Sequence, residues 1–332
     1  MIAPAVAVIG CGLSGIACAR ELTRGGLHPS VFEYQRAAGG RLATRRFAAA
    51  SFDHGAQYVT IRDPQFRRTV EDAHAAGAAG QWRPEWPARD AGDGDLWVGV
   101  SGMSNLPRFL AQDLDVEYGS RIVRLERGRD GWILADDRGL AHLEFDVVVL
   151  ALPAPVAATL AAPHSALAER VRGVLMAPCW AAMAAFERPL AGVPDAAFGP
   201  DPMLAWFARD GSKPGRAMPD AWVLHAGAEW SRTEFDQPAA RVLAALLERF
   251  SERIGGTLPP VVLSDCHRWR HARVERPLGE PFLWDRDAGI AFCGDWCLDA
   301  RAEAAWLSGR ALGTALSQAR LASGSGKMRG SR

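Results

Sequence analysis

The sequence predicts an α/β protein with two lobes, a βαβ nucleotide-binding unit and a separate α+β lobe. The first observation is an apolar run, a glycine-rich turn, a helical period and a second apolar run within residues 5–33. The second is a set of strand-like runs, Cys179 to Phe186, Met203 to Ala208 and Ala221 to Ala226, before an amphipathic helix over 238–254. The third is the length of 332 residues, which exceeds what one hydrophobic core usually supports.

Composition narrows the class of partner. Lysine plus arginine and aspartate plus glutamate both total 38, so the net charge is zero and argues against nucleic acid. We expect a small-molecule partner. The longest apolar runs, such as 147–152, are too short to span a bilayer, and the start lacks a leader pattern, so we expect a cytoplasmic protein without a membrane span. The composition does not indicate an oligomeric state.

The cysteines predict neither a disulfide framework nor a metal site. Six cysteines are scattered through the chain, mostly in apolar stretches, and no C-x-x-C motif occurs. We expect buried free thiols. No G-x-S-x-G nucleophile elbow or H-E-x-x-H helix is present either, which excludes the corresponding hydrolase classes.

The first element is a strand ending in a G-x-G-x-x-G turn. Gly10 permits the tight turn, Gly12 lets backbone approach a pyrophosphate, and Gly15 allows helix to pack on strand. Leu13 and Ser14 begin the helix whose N-terminus favours anions. Glu33 ends the second strand, at the spacing where a carboxylate accepts hydrogen bonds from ribose hydroxyls. These residues predict a dinucleotide site.

The remaining elements follow from the same periodicities and turn signals. In chain order we predict a helix over Phe66–Ala79, a strand at Leu96–Gly99, a helix capped by Ser104 or Asn105, strands within Val116–Leu125, Trp132–Asp136 and Glu144–Leu150, a strand before Gly294, and a helix over Glu303–Arg320.

Three features favour FAD over NAD as the dinucleotide. Gly40, Arg41 and Leu42 follow the Glu33 strand and place permissive backbone and a guanidinium near a pyrophosphate. Gly294 and Asp295 offer a carboxylate at a strand end, suited to a ribityl hydroxyl. The last helix opens with small residues, and its N-terminus would stabilise the anionic edge of a reduced flavin. The residues concerned there are Ala304, Ala305 and Trp306.

The order and spacing of several segments resemble those of the bacterial renalase-like branch of the FAD-dependent amine oxidase superfamily. The segments are VAVIGCGLSGIACAREL, AGGRLATRR, DHGAQYVT, WVGVSGMSNLPRFLA, SKPGR, WVLHAGAEWS, HRWRHA and FCGDWCLDARAEAAWLSG, and together they extend the resemblance from Val6 to about Leu321. The resemblance implies a glutathione-reductase-type FAD-binding domain and a discontinuous α+β substrate domain, with a p-hydroxybenzoate-hydroxylase-like topology. It also implies that Val123 holds the adenine through its backbone.

The expected division of the chain follows from this resemblance. We predict an FAD-binding domain from residues 1–75, 100–160 and 286–322, a substrate domain from 76–99 and 161–285, and a disordered tail over 323–332.

The segment DHGAQYVT is predicted to reach the flavin ring. Gly55 and Ala56 leave room for close backbone approach, and Gln57 and Tyr58 would supply polar or aromatic contact there. The alternative is a plain turn before the next helix.

The small number of lysines bears on whether the protein oxidises amines or dihydro-NAD(P). Flavin amine oxidases place a lysine near flavin N5, but the chain has only Lys213 and Lys327, and Lys213 lies in a Gly/Pro-bounded turn typical of solvent-exposed loops. The resemblance implies instead an oxidase of isomeric 2- or 6-dihydro-NAD(P), which passes a hydride to flavin N5 and gives NAD(P)+ while O2 becomes H2O2. Amine oxidation, or oxidation of another small reduced substrate, stays open, as does a non-catalytic FAD-holding scaffold.

Such a substrate needs mainly a surface that stacks and orients its ring. Among 12 tryptophans, we select Trp269 and Trp296 with Tyr58 and His267 as candidate substrate contacts. For His267 a structural role is equally open, and for His225 on its apolar strand a structural role is favoured. No residue is assigned as catalytic.

Overall fold

The computed structural model describes residues 4–48, 50–86, 94–216 and 220–325. Its elements, in chain order, are β1 Val6–Ile9, α1 Leu13–Arg24, β2 Ser30–Glu33, β3 Arg45–Arg46, β4 Ser51–Phe52, α2 Pro64–Ala75, β5 Ala79–Trp82, β6 Leu96–Gly99, α3 Asn105–Ala111, β7 Val116–Tyr118, β8 Ile122–Arg127, β9 Trp132–Asp136, β10 Ala141–Phe145, β11 Val147–Leu150, α4 Ala154–Ala161, α5 Leu167–Arg172, β12 Met176–Phe186, β13 Ala196–Phe198, β14 Leu204–Arg209, β15 Asp220–Ala226, α6 Ala228–Thr233, α7 Ala239–Ile254, β16 Val261–Val274, β17 Leu283–Asp285, β18 Ile290–Phe292 and α8 Ala302–Ser325.

The chain divides into two compact units. The first takes its described residues from the segments Met1–Gly40, Leu110–Leu175 and Val274–Arg332, and the second from Arg41–Phe109 and Met176–Arg273. The predicted domains differ from these compact units in four segments, and the division into an FAD-binding and a substrate domain stays a prediction. Residues 41–75 and 100–109 belong to the second unit, and residues 161–175 and 274–285 to the first. These segments are assigned by contacts with distant parts of the chain, which local patterns do not reveal.

The first unit is built on a six-stranded sheet in the order β17-β18-β11-β1-β2-β7. All neighbouring strands are parallel except β17 and β18, which are antiparallel. The β1 strand lies at the centre, with Val8 opposite Val149 on one side and Val31 on the other, and its four residues are all buried. Apolar β-branched runs of this kind are typical of strands covered on both faces. A three-stranded antiparallel sheet, β10-β9-β8, belongs to the same unit.

A close helix–helix contact joins the two ends of the chain within the first unit. A Cβ added at Gly309 of α8 would lie 1.9 Å from the carbonyl oxygen of Ser14, and one at Gly313 would lie 2.7 Å from that of Cys18. Only glycine allows α8 to approach the backbone of α1 so closely.

The second unit is built on a five-stranded sheet in the order β13-β14-β15-β12-β16. One of its two apolar clusters packs strand residues such as Trp222 and Leu224 against Val242, Leu246 and Phe250 of α7. The other packs Phe52 and Met183 with neighbouring apolar residues. This arrangement explains the amphipathic period of α7, which ends at Gly255 with φ of 68°.

Several predicted elements differ from the structure in their limits. The Asp63 carboxylate caps α2 by accepting the N–H groups of Gln65 and Phe66, and the helix ends at Ala75 rather than Ala79. The strand predicted within residues 116–125 is two strands, separated by Gly119 with φ of 75°. The last helix continues to Ser325, so residues 323–325 of the predicted tail are helical, and residues 326–332 lie outside the described residues.

None of the helices in the described segments combines the length and apolar character needed to cross a bilayer.

Candidate functional site

The glycine-rich turn after β1 forms a cradle beside the start of α1. Gly10 has φ of 102° and donates its N–H to the Phe32 carbonyl over 2.8 Å. A Cβ at Gly15 would lie 1.9 Å from the Gly10 carbonyl oxygen, whereas a Cβ at Gly12 would meet nothing within 4 Å. The first N–H groups of α1, like those of any helix, have no intrahelical acceptor, and no side chain caps this N-terminus. The cradle is open at Gly12, which suits a phosphate-bearing ligand.

Glu33 lies at the end of β2 and is 3% exposed. Its carboxylate accepts the N–H groups of Cys11, over 2.7 Å, and Gln35, over 2.9 Å. Burial raises the pKa of Glu33 above its ordinary value, and these backbone hydrogen bonds oppose that shift. The carboxylate is thus fixed beside the glycine turn, where it can accept ribose hydroxyls.

Two further segments of the first unit lie around this turn. Gly40 has φ of 53°, and a Cβ added to it would lie 3.5 Å from the Gly12 Cα. The Ser120 N–H donates to the Glu33 carbonyl over 3.0 Å, just before Val123. The pairing of β8 with β9 shifts register between Ile122 and Arg124, so Val123 sits at a bulge and is 47% exposed.

The C-terminal segment of the first unit is tightly packed. The Gly294 N–H donates to the Ser308 Oγ over 3.0 Å, and a Cβ at Gly294 would lie 2.3 Å from the Trp296 indole nitrogen. Asp295 is 5% exposed, and Leu13, Ser14, Ala304, Ala305 and Trp306 are also buried.

The prediction of Trp296 as a substrate contact is wrong. The side chain is fully buried, and its Nε1–H donates to the Leu152 carbonyl over 3.0 Å. A buried indole whose single donor is already used holds the packing of the first unit and offers no surface to a ligand.

Lys213 lies in a buried ion cluster of the second unit, and the prediction that it reaches solvent is wrong. Its side chain has 0% exposure, and Nζ lies 2.5 Å from Asp210 Oδ1 and 3.3 Å from Asp53 Oδ2. Nζ also donates to Gln57 Oε1 over 3.1 Å and lies 5.3 Å from the Trp82 ring centroid. The Gly/Pro turn carries the lysine inward because two carboxylates compensate its charge, that of Asp210 three residues before it and that of Asp53 from a distant segment.

Asp53 is the centre of this ion cluster. Its Oδ2 also accepts from Arg216 Nη2 over 2.5 Å, and its Oδ1 accepts the Thr44 hydroxyl and the Met103 N–H. Burial pushes the pKa of Asp53 up, but Lys213 and Arg216 outweigh it and hold the pKa below its ordinary value. The cluster ties the segment 53–57 to the turn 210–216.

Gln57 and Gly55 are positioned by that segment. The Gln57 amide donates to the Asp53 carbonyl as well as accepting from Lys213, so its side chain is turned into the ion cluster. A Cβ at Gly55 would lie 2.0 Å from the Arg41 carbonyl oxygen, which also accepts the Ala56 N–H over 2.9 Å. The Arg41 guanidinium donates to the Ala272 carbonyl over 3.2 Å, and Leu42 is buried. Gly55 therefore serves close backbone packing here.

The second unit also holds a ring cluster of His54, His267 and Trp269. His54 stacks on Trp269 at a centroid distance of 5.2 Å, and His267 meets both rings edge-on at 4.9 and 4.5 Å. The His54 carbonyl accepts Trp269 Nε1 over 2.8 Å and contacts His225 Nε2 at 3.2 Å. The structure thus brings together two of the predicted substrate contacts.

All three histidines near this ring cluster are neutral at pH 7. Burial lowers the pKa of His54 to about 3, with His267 and Arg45 adding to the shift. Burial likewise lowers the pKa of His225 to about 4 and holds that of His267 below its ordinary value. The Nδ1 of His54 is buried and has no hydrogen-bond partner within the described residues. The rings of the cluster are therefore aromatic and uncharged, with His54 buried and His267 edge-on to the other two.

Tyr58 lies in a separate aromatic group of the second unit. Its ring centroid is 6.2 Å from that of Trp82, 6.3 Å from Trp86 and 6.0 Å from Trp206. Contact of Tyr58 with a flavin or substrate stays a prediction.

Several members of these clusters have little signal in the sequence. Asp53 and Asp210 each directly follow a strand, a position that could have signalled a buried charge, and Arg45 and Asp265 carried no local signal. The cysteines of the described residues are free, with burial raising the pKa of Cys11 to about 12.

One group in the first unit has metal-ligand spacing. Glu117, Asp136 and His142 lie close enough to share an ion. However, the Asp136 carboxylate is already paired with the Arg138 guanidinium at 2.6 Å and accepts the Leu140 N–H. The group is satisfied without a metal.

Comparison with known proteins agrees with these elements. The model of the family "Flavin containing amine oxidoreductase" matches residues 79–312, and that of the "NAD(P)-binding Rossmann-like domain" matches residues 8–73. The chain therefore belongs to the flavin-containing amine oxidoreductase family, a class of FAD-dependent oxidoreductases, and FAD is its cofactor.

Solved structures show the same fold at low identity. A putative protoporphyrinogen oxidase from Exiguobacterium sp. 255-15 is similar with a TM-score of 0.76 and 12% identity, over 96% of this chain and 100% of that one. Cyclohexylamine oxidase from Brevibacterium oxydans IH-35A gives 0.70 and 12%, over 95% and 99%. A putrescine oxidase bound to putrescine gives 0.68 and 13%, over 96% and 99%. The p-hydroxybenzoate-hydroxylase-like topology stays a prediction.

The residues of the first unit fit FAD. The open cradle at Gly12, the uncapped start of α1 and the buried Glu33 carboxylate provide sites for a pyrophosphate and a ribose. We keep Gly10, Gly12, Leu13, Ser14, Gly15, Glu33, Gly40, Val123, Gly294, Asp295, Ala304, Ala305 and Trp306 of this unit as proposed FAD contacts. Contact of Arg41, Leu42, Gly55, Ala56, Gln57 and Tyr58 with FAD stays a prediction.

Proposed function

We propose that the protein oxidises isomeric dihydro-NAD(P), reduced at ring position 2 or 6, to NAD(P)+. FAD, held by residues such as Gly12 and Glu33, would supply a hydride acceptor at N5, and O2 would take up the two electrons with two protons to give H2O2. The protein then has to bind and orient the dihydropyridine ring, because loss of hydride restores aromaticity and needs no proton transfer from the ring carbon.

The burial of Lys213 carries the proposal. Its amine is enclosed and shared by Asp53, Asp210 and Gln57, so it is committed to an ion cluster rather than free for a flavin. The only other lysine in the sequence, Lys327, lies outside the described residues. Chemistry that needs no lysine at the flavin fits this chain better than lysine-assisted amine oxidation.

The ring cluster supports the same substrate. The half-buried rings of His267 and Trp269 are uncharged at pH 7, which suits stacking and orientation of a planar ring. We propose His267 and Trp269 as substrate contacts, with Tyr58 as a further candidate.

Amine oxidation is the second candidate because similar structures include a putrescine oxidase and a cyclohexylamine oxidase. The half-buried Tyr58 ring, which packs near the buried Trp82 and Trp206, gives this candidate an aromatic contact of its own.

Anaerobic stopped-flow absorbance separates the candidates. We expect rapid bleaching of the flavin by 2- or 6-dihydro-NAD(P) and slow bleaching by ordinary NADH, putrescine and cyclohexylamine. Bleaching by an amine but not by either isomer would move the assignment to amine oxidation. A stoichiometric flavin that none of these compounds reduces would instead indicate a non-catalytic FAD-holding protein.

A further inference from the structure

The hydrogen-bonding state of His267 is set by its neighbours. Arg45 Nη2 lies 3.3 Å from His267 Nδ1. A guanidinium has only donors, so Nδ1 must accept this hydrogen bond. A neutral imidazole has one N–H, which is therefore on Nε2 of His267. This contact has no local signal in the sequence, because Arg45 and His267 are 222 positions apart.

Arg45 is itself held in place. Its Nη1 donates to the Asp265 carboxylate, which lies two residues before His267 on β16. Both side chains are about one-third exposed, so the ion pair orients the Arg45 side chain more than it stabilises the fold. The rings of His54 and Trp269 meet the His267 ring edge-on, at 88° and 75°, and fix its plane. The direction of the Nε2–H bond is thus determined by four side chains.

The charges around His267 keep it neutral. Burial lowers its pKa, Arg45 lowers it further, and Asp265 opposes the shift. The remaining titratable neighbours are His54, which is neutral, and Cys266, whose pKa burial raises to about 12. Within the described residues, Nε2 of His267 has no hydrogen-bond partner, so this donor is available.

We propose that Arg45, held by Asp265, is a positioning residue that keeps His267 in the Nε2–H form, and that this N–H binds a carbonyl oxygen on the substrate ring. The second clause rests on the proposed function. A ring carboxamide offers such an acceptor, whereas a protonated amine has only donors and cannot accept the Nε2–H. Arg45 thereby selects for a carboxamide-bearing ring over an ammonium group.

The first test reads the tautomer directly and does not depend on the substrate. In holoenzyme labelled with ¹⁵N-histidine, long-range ¹H–¹⁵N spectra report which ring nitrogen carries the proton, and the H267N variant assigns the signal. We expect a neutral Nε2–H form at pH 7 to 8 in the wild type and in R45K. In R45Q we expect mixed tautomers and a pKa that moves up, because Asp265 then acts unopposed. A wild-type Nδ1–H form, or an R45Q spectrum identical to wild type, would overturn the proposal.

The second test measures how much the carbonyl oxygen of the ring carboxamide contributes to binding. Binding of NAD+ and of its thionicotinamide analogue, whose sulfur accepts hydrogen bonds poorly, is followed by the change in the flavin spectrum. We expect wild type and R45K to prefer NAD+ by about threefold to tenfold, the range for one neutral hydrogen bond, and R45Q to lose that preference. Equal binding of the two compounds by wild type would refute the carbonyl contact.

A matched control comes from Arg249, which pairs with Asp201 at 2.6 Å in the same unit but touches no histidine of the ring cluster. R249Q should match wild type in both tests, and a loss of preference there would refute a specific role for Arg45. If the dihydro isomers fail to bleach the flavin while the tautomer test succeeds, the proposed function falls and the positioning role stands. If the isomers react but the tautomer is wrong, only the positioning role falls.

Discussion

Replacing Lys213 by methionine should destabilise the protein by about 3–5 kcal/mol, the cost of removing one partner from a buried ion pair. The substitution leaves Asp53 and Asp210, whose side chains are at most 1% exposed, without the cation that lies 3.3 and 2.5 Å from their oxygens. Arg216 still pairs with Asp53, which keeps the loss within this range. A loss of this size lowers the folding equilibrium constant by a factor of about 10² to 10³·⁵.

The pH dependence of the same variant follows from the carboxyl groups. In the wild type, burial holds the pKa of Asp210 above its ordinary value although Lys213 pulls it down. The pKa of Asp53 lies below its ordinary value, so its contribution to stability is present at neutral pH and is lost on acidification. Without Lys213 both pKa values rise and protonation relieves the uncompensated charge. The difference between K213M and wild type should therefore shrink as the pH falls from 7 to 5.

Guanidinium titration of the holoprotein, followed by tryptophan fluorescence and flavin release, measures this effect. The double variant K213M/D210N should recover a substantial part of the loss, because it removes one of the two stranded charges. Flavin reduction by a dihydro-NAD(P) isomer should persist in K213M at a temperature where it is folded. A K213M protein of wild-type stability that no longer reduces its flavin would refute the structural role of the lysine and return it to catalysis.

Three further predictions concern the first unit. G12A should fold normally yet lose FAD, because its Cβ enters the open space proposed for the cofactor, whereas G15A should destabilise the apoprotein, because its Cβ would lie 1.9 Å from a carbonyl oxygen. FAD content and the melting temperature of the apoprotein distinguish the two variants. Equal behaviour of both would contradict the proposed phosphate cradle at Gly12. E33Q should weaken FAD binding about tenfold, the loss of one charge-assisted hydrogen bond, with an unchanged spectrum of the bound flavin, as checked by FAD titration; unaltered affinity would remove Glu33 from the site. W296F should lower the free energy of unfolding by about 1–3 kcal/mol because it removes the N–H that the Leu152 carbonyl accepts. Its KM should not change, and a raised KM would restore Trp296 as a substrate contact.

The sequence was most informative where structure depends on near neighbours. The β1 strand, the glycine turn and Glu33 lie within residues 6–33, so strand periodicity and the G-x-G-x-x-G spacing predict their arrangement. The amphipathic period of α7 is equally local, and its observed limits, Ala239–Ile254, differ little from the predicted helix over 238–254.

Long-range contacts account for what the sequence did not reveal. Lys213 looked like a loop residue because its partner Asp53 is 160 positions away. Trp296 looked like a ligand contact because the carbonyl that receives its N–H, that of Leu152, is 144 positions away. Glycine and proline around a turn indicate its backbone geometry but not which side of the turn faces the interior. The pairing of Arg45 with His267 has the same origin.

The contact between α1 and α8 has a consequence for the order of synthesis. The helix that begins the nucleotide cradle is made well before Gly309 and Gly313, the glycines of α8 that receive it. On the ribosome, α1 therefore waits until α8 has been made before its neighbour exists. The second unit, which ends at Arg273, has all its residues earlier. The nascent chain should therefore complete its cofactor-binding unit after the second unit, and FAD should bind firmly only after α8 has left the ribosome.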